Sequence, residues 1–290
     1  MNTFVNINGK IYKREEAYIS VFDRSVLYGD GVYETLRSYS GKIFLFDQHY
    51  NRLLASLSAL GIYFPLMKEE LYKEIEKTIK ALGCLDTMIR LMISRGVSSI
   101  NLNPVESKSY TLIIIVEPYK PFPEELYKKG AILIFSSVRR NSPKSLSPAI
   151  KSLNLLNNFL AYKEAMQKKA FDALFLSVDD YIAEGTTFNV FWIKDGVLYT
   201  PIEDVGILLG TTRDIVIDIA NNEGISVKKG FYWRQDLENA DECFITSTLK
   251  EVMPVRQIDD KEIGAICPGI ITQKIMHIFK ERIKQFISSS

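Results

Sequence analysis

Pro118, Pro121 and Pro123 fall within six residues, and neither a helix nor a central strand runs through such a cluster. Each proline lacks a backbone N–H and fixes φ, so it stops a helix and removes a ladder bond from a sheet. The chain is thereby parted into residues 1–117 and 125–290, with 118–124 as the linker. At 290 residues in all, each part is long enough to bury a core of its own.

Within the first part, Val32 to Tyr39 alternates, Ser40-Gly41 signals a turn, and Lys42 to Phe46 runs apolar, which predicts a hairpin. Asp47 stands as an N-cap before Leu53, Leu54, Leu57 and Leu60 at helical spacing, and Gly61 closes that helix. Leu71, Ile75, Ile79 and Leu82 form the stripe of a second helix, followed by strands at Met88–Ser94 and Tyr110–Glu117. The second part reads as strands near Ala131–Val138, Ala173–Val178, Asn189–Lys194 and Glu242–Thr246. Its helices fall near Asn154–Lys168, Arg213–Asn222 and Gly269–Phe286. Strands and helices interleave without a strict βαβ rhythm, so the class is mixed α/β (α+β) rather than an open doubly wound sheet. The terminal Ser288-Ser289-Ser290 is expected to fray.

Charge narrows the partners. The 36 Lys and Arg nearly cancel the 35 Asp and Glu, which leaves no footprint for nucleic acid or an anionic membrane. Small molecules are the expected ligands. His49 and His277 are the only histidines, and Cys84, Cys243 and Cys267 lie far apart; no metal centre and no disulfide framework are expected. The start, Met1-Asn2-Thr3-Phe4-Val5, has no signal-peptide blocks, and the longest apolar runs, such as Leu112 to Val116, are strand-length. A cytoplasmic protein is the expectation.

Lys151 is a lone cation in the largely apolar stretch Pro148 to Leu156. Desolvation there would lower its pKa and make it a nucleophile toward a carbonyl, although a surface lysine with a snorkelling stem fits the same residues. Glu184 precedes a strongly apolar strand, where a buried carboxylate needs a cationic partner; a water-facing turn acid is the alternative. Gly210-Thr211-Thr212-Arg213-Asp214 opens a helix whose N–H groups and hydroxyls suit a phosphate, or make a plain Thr cap. Ser247-Thr248 is a second hydroxyl cluster, and Arg52 offers a permanent charge or a solvated flank. No GxxxxGK[ST], GxGxxG or HExxH is present.

In this order the segments resemble the class IV aminotransferase family, the fold type IV pyridoxal-phosphate (PLP) enzymes. The matching stretches are Val21 to Arg24, Tyr28 to Arg37, His49 to Leu53, Ile150 to Asn154, Glu184 to Asn189, Gly210 to Asp214, Asn239 to Phe244, and Thr246 to Thr248. The resemblance implies a small N-terminal α/β domain, a larger barrel-like C-terminal domain and a homodimer. It implies Lys151 as the Schiff-base lysine and proton carrier, Glu184 on the pyridine nitrogen, and Leu208 against the ring face. Arg52, Thr211, Thr212 and Thr248 are implied as the phosphate ligands.

On the substrate side the resemblance points to Arg24, Tyr28, Tyr33, Arg90, Leu249 and Lys250. Branched-chain enzymes carry Tyr-x-Arg where Met88-Ile89-Arg90 stands here, and alternation puts Met88, Arg90 and Met92 on one face. The Arg-x-His trap of D-amino acid enzymes is missing from Ser98 to Asn103. Leu249-Lys250 replaces two small residues, and Lys250 either meets a substrate carboxylate or points to solvent. The expected reaction is transfer of an amino group from an amino acid, of D- or branched-chain type, to a 2-oxo acid. A lyase releasing pyruvate from 4-amino-4-deoxychorismate, suggested by Glu34-Thr35-Leu36-Arg37, is the runner-up; a PLP-binding protein without chemistry is the reading of another class.

Overall fold

The structure, a computed structural model, describes residues 3–104 and 109–288. Met1, Asn2, Ser289 and Ser290 lie outside the described residues, so the expectation of a frayed terminus finds no place here. The chain divides into two compact units, each described by itself.

In the first unit, β1 (Phe4–Ile7), β2 (Lys10–Lys13), α1 (Arg24–Tyr28), β3 (Gly31–Tyr39), β4 (Lys42–Ile43), α2 (Phe46–Leu60), α3 (Lys68–Leu82), β5 (Thr87–Ser94) and β6 (Thr111–Pro118) follow in order. The six strands form an antiparallel sheet of order β2-β1-β6-β5-β3-β4. Alternation sends Val32, Leu36, Ile89, Leu91, Ile93, Ile114 and Val116 to one face, where they meet Leu53 and Leu57 of α2 and Leu71, Ile75, Ile79 and Leu82 of α3. The predicted hairpin forms, but Asp47 is not the cap. Leu45, with φ 55°, is the N-cap residue and Asp47 sits in the first turn, ion-paired with Lys68. Asp23 caps α1 by accepting the Ser25 N–H, and it also takes the hydroxyls of Ser94 and Thr111 at 3.0 and 2.6 Å.

The second unit holds α4 (Glu124–Lys129), β7 (Ala131–Phe135), α5 (Leu156–Gln167), β8 (Asp172–Leu176), β9 (Ile182–Gly185), β10 (Asn189–Lys194) and β11 (Val197–Pro201). It continues with α6 (Thr211–Asn222), β12 (Val227–Gly230), α7 (Arg234–Glu238), β13 (Glu242–Ser247), β14 (Glu251–Ile258), β15 (Lys261–Glu262) and most of α8 (Ile270–Ser288). Nine strands run in the order β12-β11-β10-β13-β14-β7-β8-β9, with β15 on β14, and mix parallel and antiparallel pairs. Side chains from β7, β8, β9, β10, β13 and β14 share one apolar cluster, so the sheet curls around its own core as a half-barrel. The sequence reading lacks β14, which contains Pro254. Its partner β7 joins only from Val255 onward, so the missing N–H costs no bond on that side.

The units are not the two contiguous stretches that the prolines suggest. Residues 150–154 and 286–290 cluster with 1–120, and the remainder forms the second unit. The reason is local. Leu153 donates its N–H to the Gly31 carbonyl at 2.9 Å, Tyr33 donates to the Lys151 carbonyl at 2.9 Å, and Val32 bridges Ser152. A Cβ on Gly31 would lie 2.7 Å from both the Ile93 carbonyl oxygen and Leu153 Cδ1, so only glycine admits this approach. Replacing fully buried Ile75 by Ala should destabilise the protein by about 2–5 kcal/mol in denaturant melts.

Candidate active site

Neighbours on β3 leave opposite faces of the sheet. Glu34 points to the helix side and is fully buried. Arg52 of α2 donates to both its oxygens, Nε to Oε1 at 2.7 Å and Nη2 to Oε2 at 2.6 Å, and His49 Nδ1 lies 2.8 Å from Oε2. Burial alone would raise the Glu34 pKa, but the charge and hydrogen bonds of Arg52, with those of His49, hold it down at about 2. Burial likewise keeps the His49 imidazole below its ordinary value, despite Glu34. Arg52 is therefore not a solvated flank residue: a carboxylate fixes its guanidinium along one edge, through Nε and Nη2.

On the other face, the Tyr33 ring is shared by two cations. Lys151 Nζ lies 4.3 Å and the Arg90 guanidinium carbon 3.5 Å from its centroid. Arg90 also donates to the Thr35 hydroxyl at 3.2 Å. Burial would raise the Tyr33 phenol, but Lys151 and Arg90 outweigh it and leave the pKa below its ordinary 10. Lys151 itself is half-buried in extended chain, five positions before α5 begins, and its N–H donates to Ser56 Oγ of α2 at 3.2 Å. Lys151, Arg52, Tyr33 and Arg90 are brought together on and beside β3. Arg24 is not among them. It is buried, donates to Asp30 at 2.7 Å, to Ser98 and to the Asn101 carbonyl, and stacks on Tyr28 at 4.8 Å. Those partners tie Arg24 to residues 98–101.

In the second unit, Glu184 stands next to last in β9 as a buried carboxylate whose cationic partner is supplied by the protein. Arg140 Nε donates to its Oε1 at 2.9 Å; the Leu208 N–H and Asn189 Nδ2 reach Oε2 at 3.0 and 3.3 Å. Asn189 also donates to the Leu208 carbonyl at 2.8 Å, which fixes the loop that carries Leu208. Thr211 and Thr212 are buried in the first turn of α6, where Gly210 occupies the N-cap position without a side-chain cap bond. A Cβ on Gly210 would come 2.2 Å from Asn189 Oδ1, so glycine lets the helix start that close. Thr248 and Leu249, both half-buried, lie in the turn after β13. The buried Thr246 hydroxyl before that turn has no hydrogen-bond partner among the described residues.

Lys250 meets neither solvent nor a free carboxylate site. Its Nζ donates to Thr187 Oγ1 at 2.8 Å and lies 3.5 Å from Asp172 Oδ2, with Phe122, Phe171 and Phe188 around it. Burial lowers its pKa while Asp172 pulls it back up. The aromatic walls remove water and Asp172 replaces it, so Lys250 does not take the solvent-facing alternative.

Within the second unit, a buried acid with fixed oxygens suits the ring nitrogen of a phosphorylated pyridine, and a helix N-terminus with hydroxyls suits its dianion; within the first unit, Lys151 offers an amine that suits an aldehyde. Sequence reasoning missed Glu34, whose inward position was readable from the Val32–Leu36 alternation, and also Arg140, Asn189 and Asp172, which carry no local mark.

Residues 31–258 match the family described as Amino-transferase class IV. The chain is 40% identical over 277 residues to a putative branched-chain-amino-acid aminotransferase of Methanocaldococcus jannaschii, covering 96% of this chain and 95% of that protein. It is 35% identical over 285 residues to an aminodeoxychorismate lyase of Bacillus subtilis (98% and 96% covered). To a D-alanine aminotransferase of Listeria monocytogenes it is 34% identical over 281 residues, with 96% of each covered. The crystal structure of a branched-chain amino acid aminotransferase from T.th., with pyridoxamine 5'-phosphate, superposes with a TM-score of 0.91. Identity there is 31%, over 97% of this chain and 93% of that one.

Because Glu34 is held below its ordinary 4.5, it adds stability that is complete above that pH and is lost as pH falls toward 2. Glu34→Gln should cost about 3–5 kcal/mol at neutral pH, since it leaves Arg52 without its anion. The gap between wild type and variant should shrink as pH falls from 4.5 to 2, followed by denaturant melts at stepped pH.

Proposed function

We propose that this chain, which belongs to the class IV aminotransferase family, uses Lys151 to move the amino group of a branched-chain-type amino acid to a 2-oxo acid. It is a pyridoxal-phosphate-dependent transaminase. When bound, the cofactor supplies the electron sink that lets a Cα–H bond break. Lys151 would hold the cofactor through its aldehyde carbon and, once displaced there by the substrate's amine, would carry the α-proton from the substrate to that same carbon. Glu184 receives the ring nitrogen, its carboxylate kept in place by Arg140, Asn189 and the Leu208 N–H. Leu208 packs on the ring face. Thr211, Thr212, Thr248 and Arg52 hold the phosphate, Arg52 with its plane already set by Glu34.

One observation carries the substrate reading: Lys151 Nζ and the Arg90 guanidinium lie against the same Tyr33 ring, at 4.3 and 3.5 Å. A carboxylate on Arg90 brings the adjoining α-carbon to the amine that must deprotonate it. Met88 and Met92 flank Arg90 on that face, which suits an apolar side chain, and Ser98 to Asn103 contain no arginine or histidine for a D-type trap. Tyr28 and Leu249 are the further substrate neighbours.

The protein is read as a cytoplasmic homodimer built from a small N-terminal and a larger C-terminal domain. Leu156, Phe159, Leu160 and Met166 of α5 are exposed at 69, 60, 42 and 57%, an apolar helix surface of the kind that a second copy covers. No helix of the described residues is long and apolar enough to cross a membrane.

Lys151→Ala should retain cofactor, lose the visible absorbance of the lysine-bound form and lose turnover by about a thousandfold; full turnover overturns the assignment. Single L- and D-amino acids added to the wild-type enzyme, with the cofactor spectrum followed, should give conversion with L-branched-chain substrates. Conversion by D-amino acids alone overturns the substrate class, and pyruvate release from aminodeoxychorismate without a 2-oxo acid assigns the lyase reaction instead.

A further inference from the structure

β10 and β13 are antiparallel neighbours, and their ladder ends at Asn189 opposite Thr246. Beyond that last pair lie two turns. One, Thr186 to Phe188, leads from the end of β9, which carries Glu184, into β10; the other contains Thr248 to Lys250 and follows β13. Lys250 joins them. Its Nζ donates to Thr187 Oγ1 at 2.8 Å and pairs with Asp172 Oδ2 at 3.5 Å, while Asp172 Oδ1 accepts the Thr186 hydroxyl at 2.6 Å and the Ala173 N–H at 2.8 Å. The lysine's own backbone is pinned as well: its N–H donates to Ser247 Oγ at 3.1 Å and its carbonyl accepts the Tyr127 hydroxyl at 3.1 Å.

A lysine side chain is ordinarily a poor strut, because four rotatable bonds let its head wander among solvent partners. Here the ring centroids of Phe188, Phe171 and Phe122 lie 5.3, 5.8 and 5.9 Å from Nζ. They exclude water, strengthen the ion pair, and leave the ammonium only the partners just named.

We propose that Lys250 is a positioning residue that sets the spacing between the end of β9, which bears Glu184, and the turn bearing Thr248, and through them the seat of the cofactor. It touches no reacting atom. This rests on the reading above, in which Glu184 meets the ring nitrogen and Thr248 the phosphate. A rigid ligand recognised at both ends is held well only when the two recognising segments keep one separation. A buried cross-link from residue 250 to residues 186 and 187 fixes that separation where the backbone ladder no longer does.

The test uses the holoenzyme and compares Lys250→Met with the paired variant Asp172→Asn/Lys250→Met. The pair removes both charges, so no ion is left buried alone and folding is preserved. The readouts are the 31P resonance of bound cofactor, the rate of cofactor release into excess trapping apo-protein, and Tm. The paired variant should keep its Tm within a few degrees, shift the 31P resonance and release cofactor about tenfold faster, the change that one lost hydrogen bond's worth of alignment produces. Thr187→Val, which removes the acceptor and keeps the ion pair, should change both cofactor readouts in the same direction. An unmoved 31P resonance and release rate in the paired variant overturn the proposal, whatever happens to Tm. Glu184→Gln and Thr248→Ala are run beside it. If both leave cofactor release unchanged, the assignment of the two segments falls and the proposal with it; if they speed release while the paired variant does not, only the role of Lys250 falls.

Discussion

Side chains one residue apart on a strand cannot share a face, and in β3 this constraint divides the labour of the first unit. Tyr33 faces Lys151 and Arg90, while Glu34 faces the helices. An acid buried on the apolar side of a sheet is tolerated only with a cation against it, so Arg52 must come to Glu34, and its orientation follows. A slip of one residue in the pairing of β3 with β5 would exchange the two sets and leave a tyrosine among the helices and a carboxylate beside Lys151. The apolar positions Val32 and Leu36, which would also be turned outward, are what forbid it.

The second unit obeys a related rule. Its buried charges come with partners: Glu184 with Arg140, Lys250 with Asp172, and Arg213 with the Pro201 carbonyl and Glu203. The first two pairs join segments far apart in the chain. Such pairs add little to stability over apolar replacements of the same shape, but each is costly to break on one side only. Their effect is to hold neighbouring turns in one arrangement, a property that a hydrophobic contact, being non-directional, supplies less well.

What was legible in the sequence is what is written in local period. The stripe of α3 and the alternation of β5 need only a few residues to be recognised, and both agree with the structure to within a residue or so. Lys151 stood out only through the company of its motifs, since its setting is made by Gly31, Tyr33 and Ser56, roughly a hundred positions upstream. The cap of α2 was misassigned because Leu45 takes a left-handed conformation that no leucine advertises. Arg140 sits in the polar run Arg139-Arg140-Asn141-Ser142-Pro143, where nothing separates a buried guanidinium from a solvated one. The burial of Lys250 depends on phenylalanines at 122, 171 and 188, which periodicity within any one element does not connect.

The first unit takes its last pieces from beyond most of the second. Lys42 Nζ donates to the Ile287 carbonyl at 2.6 Å and Phe44 packs edge-on against Phe286 at 5.1 Å, so a hairpin near the start of the chain is finished by the final turn of α8. The strand segment that seats Lys151 likewise arrives after β7 has been made. During synthesis neither unit is a self-sufficient early product, and the ordinary sequence of one domain folding behind another does not apply. The first unit is complete only once synthesis has passed through nearly all of the second.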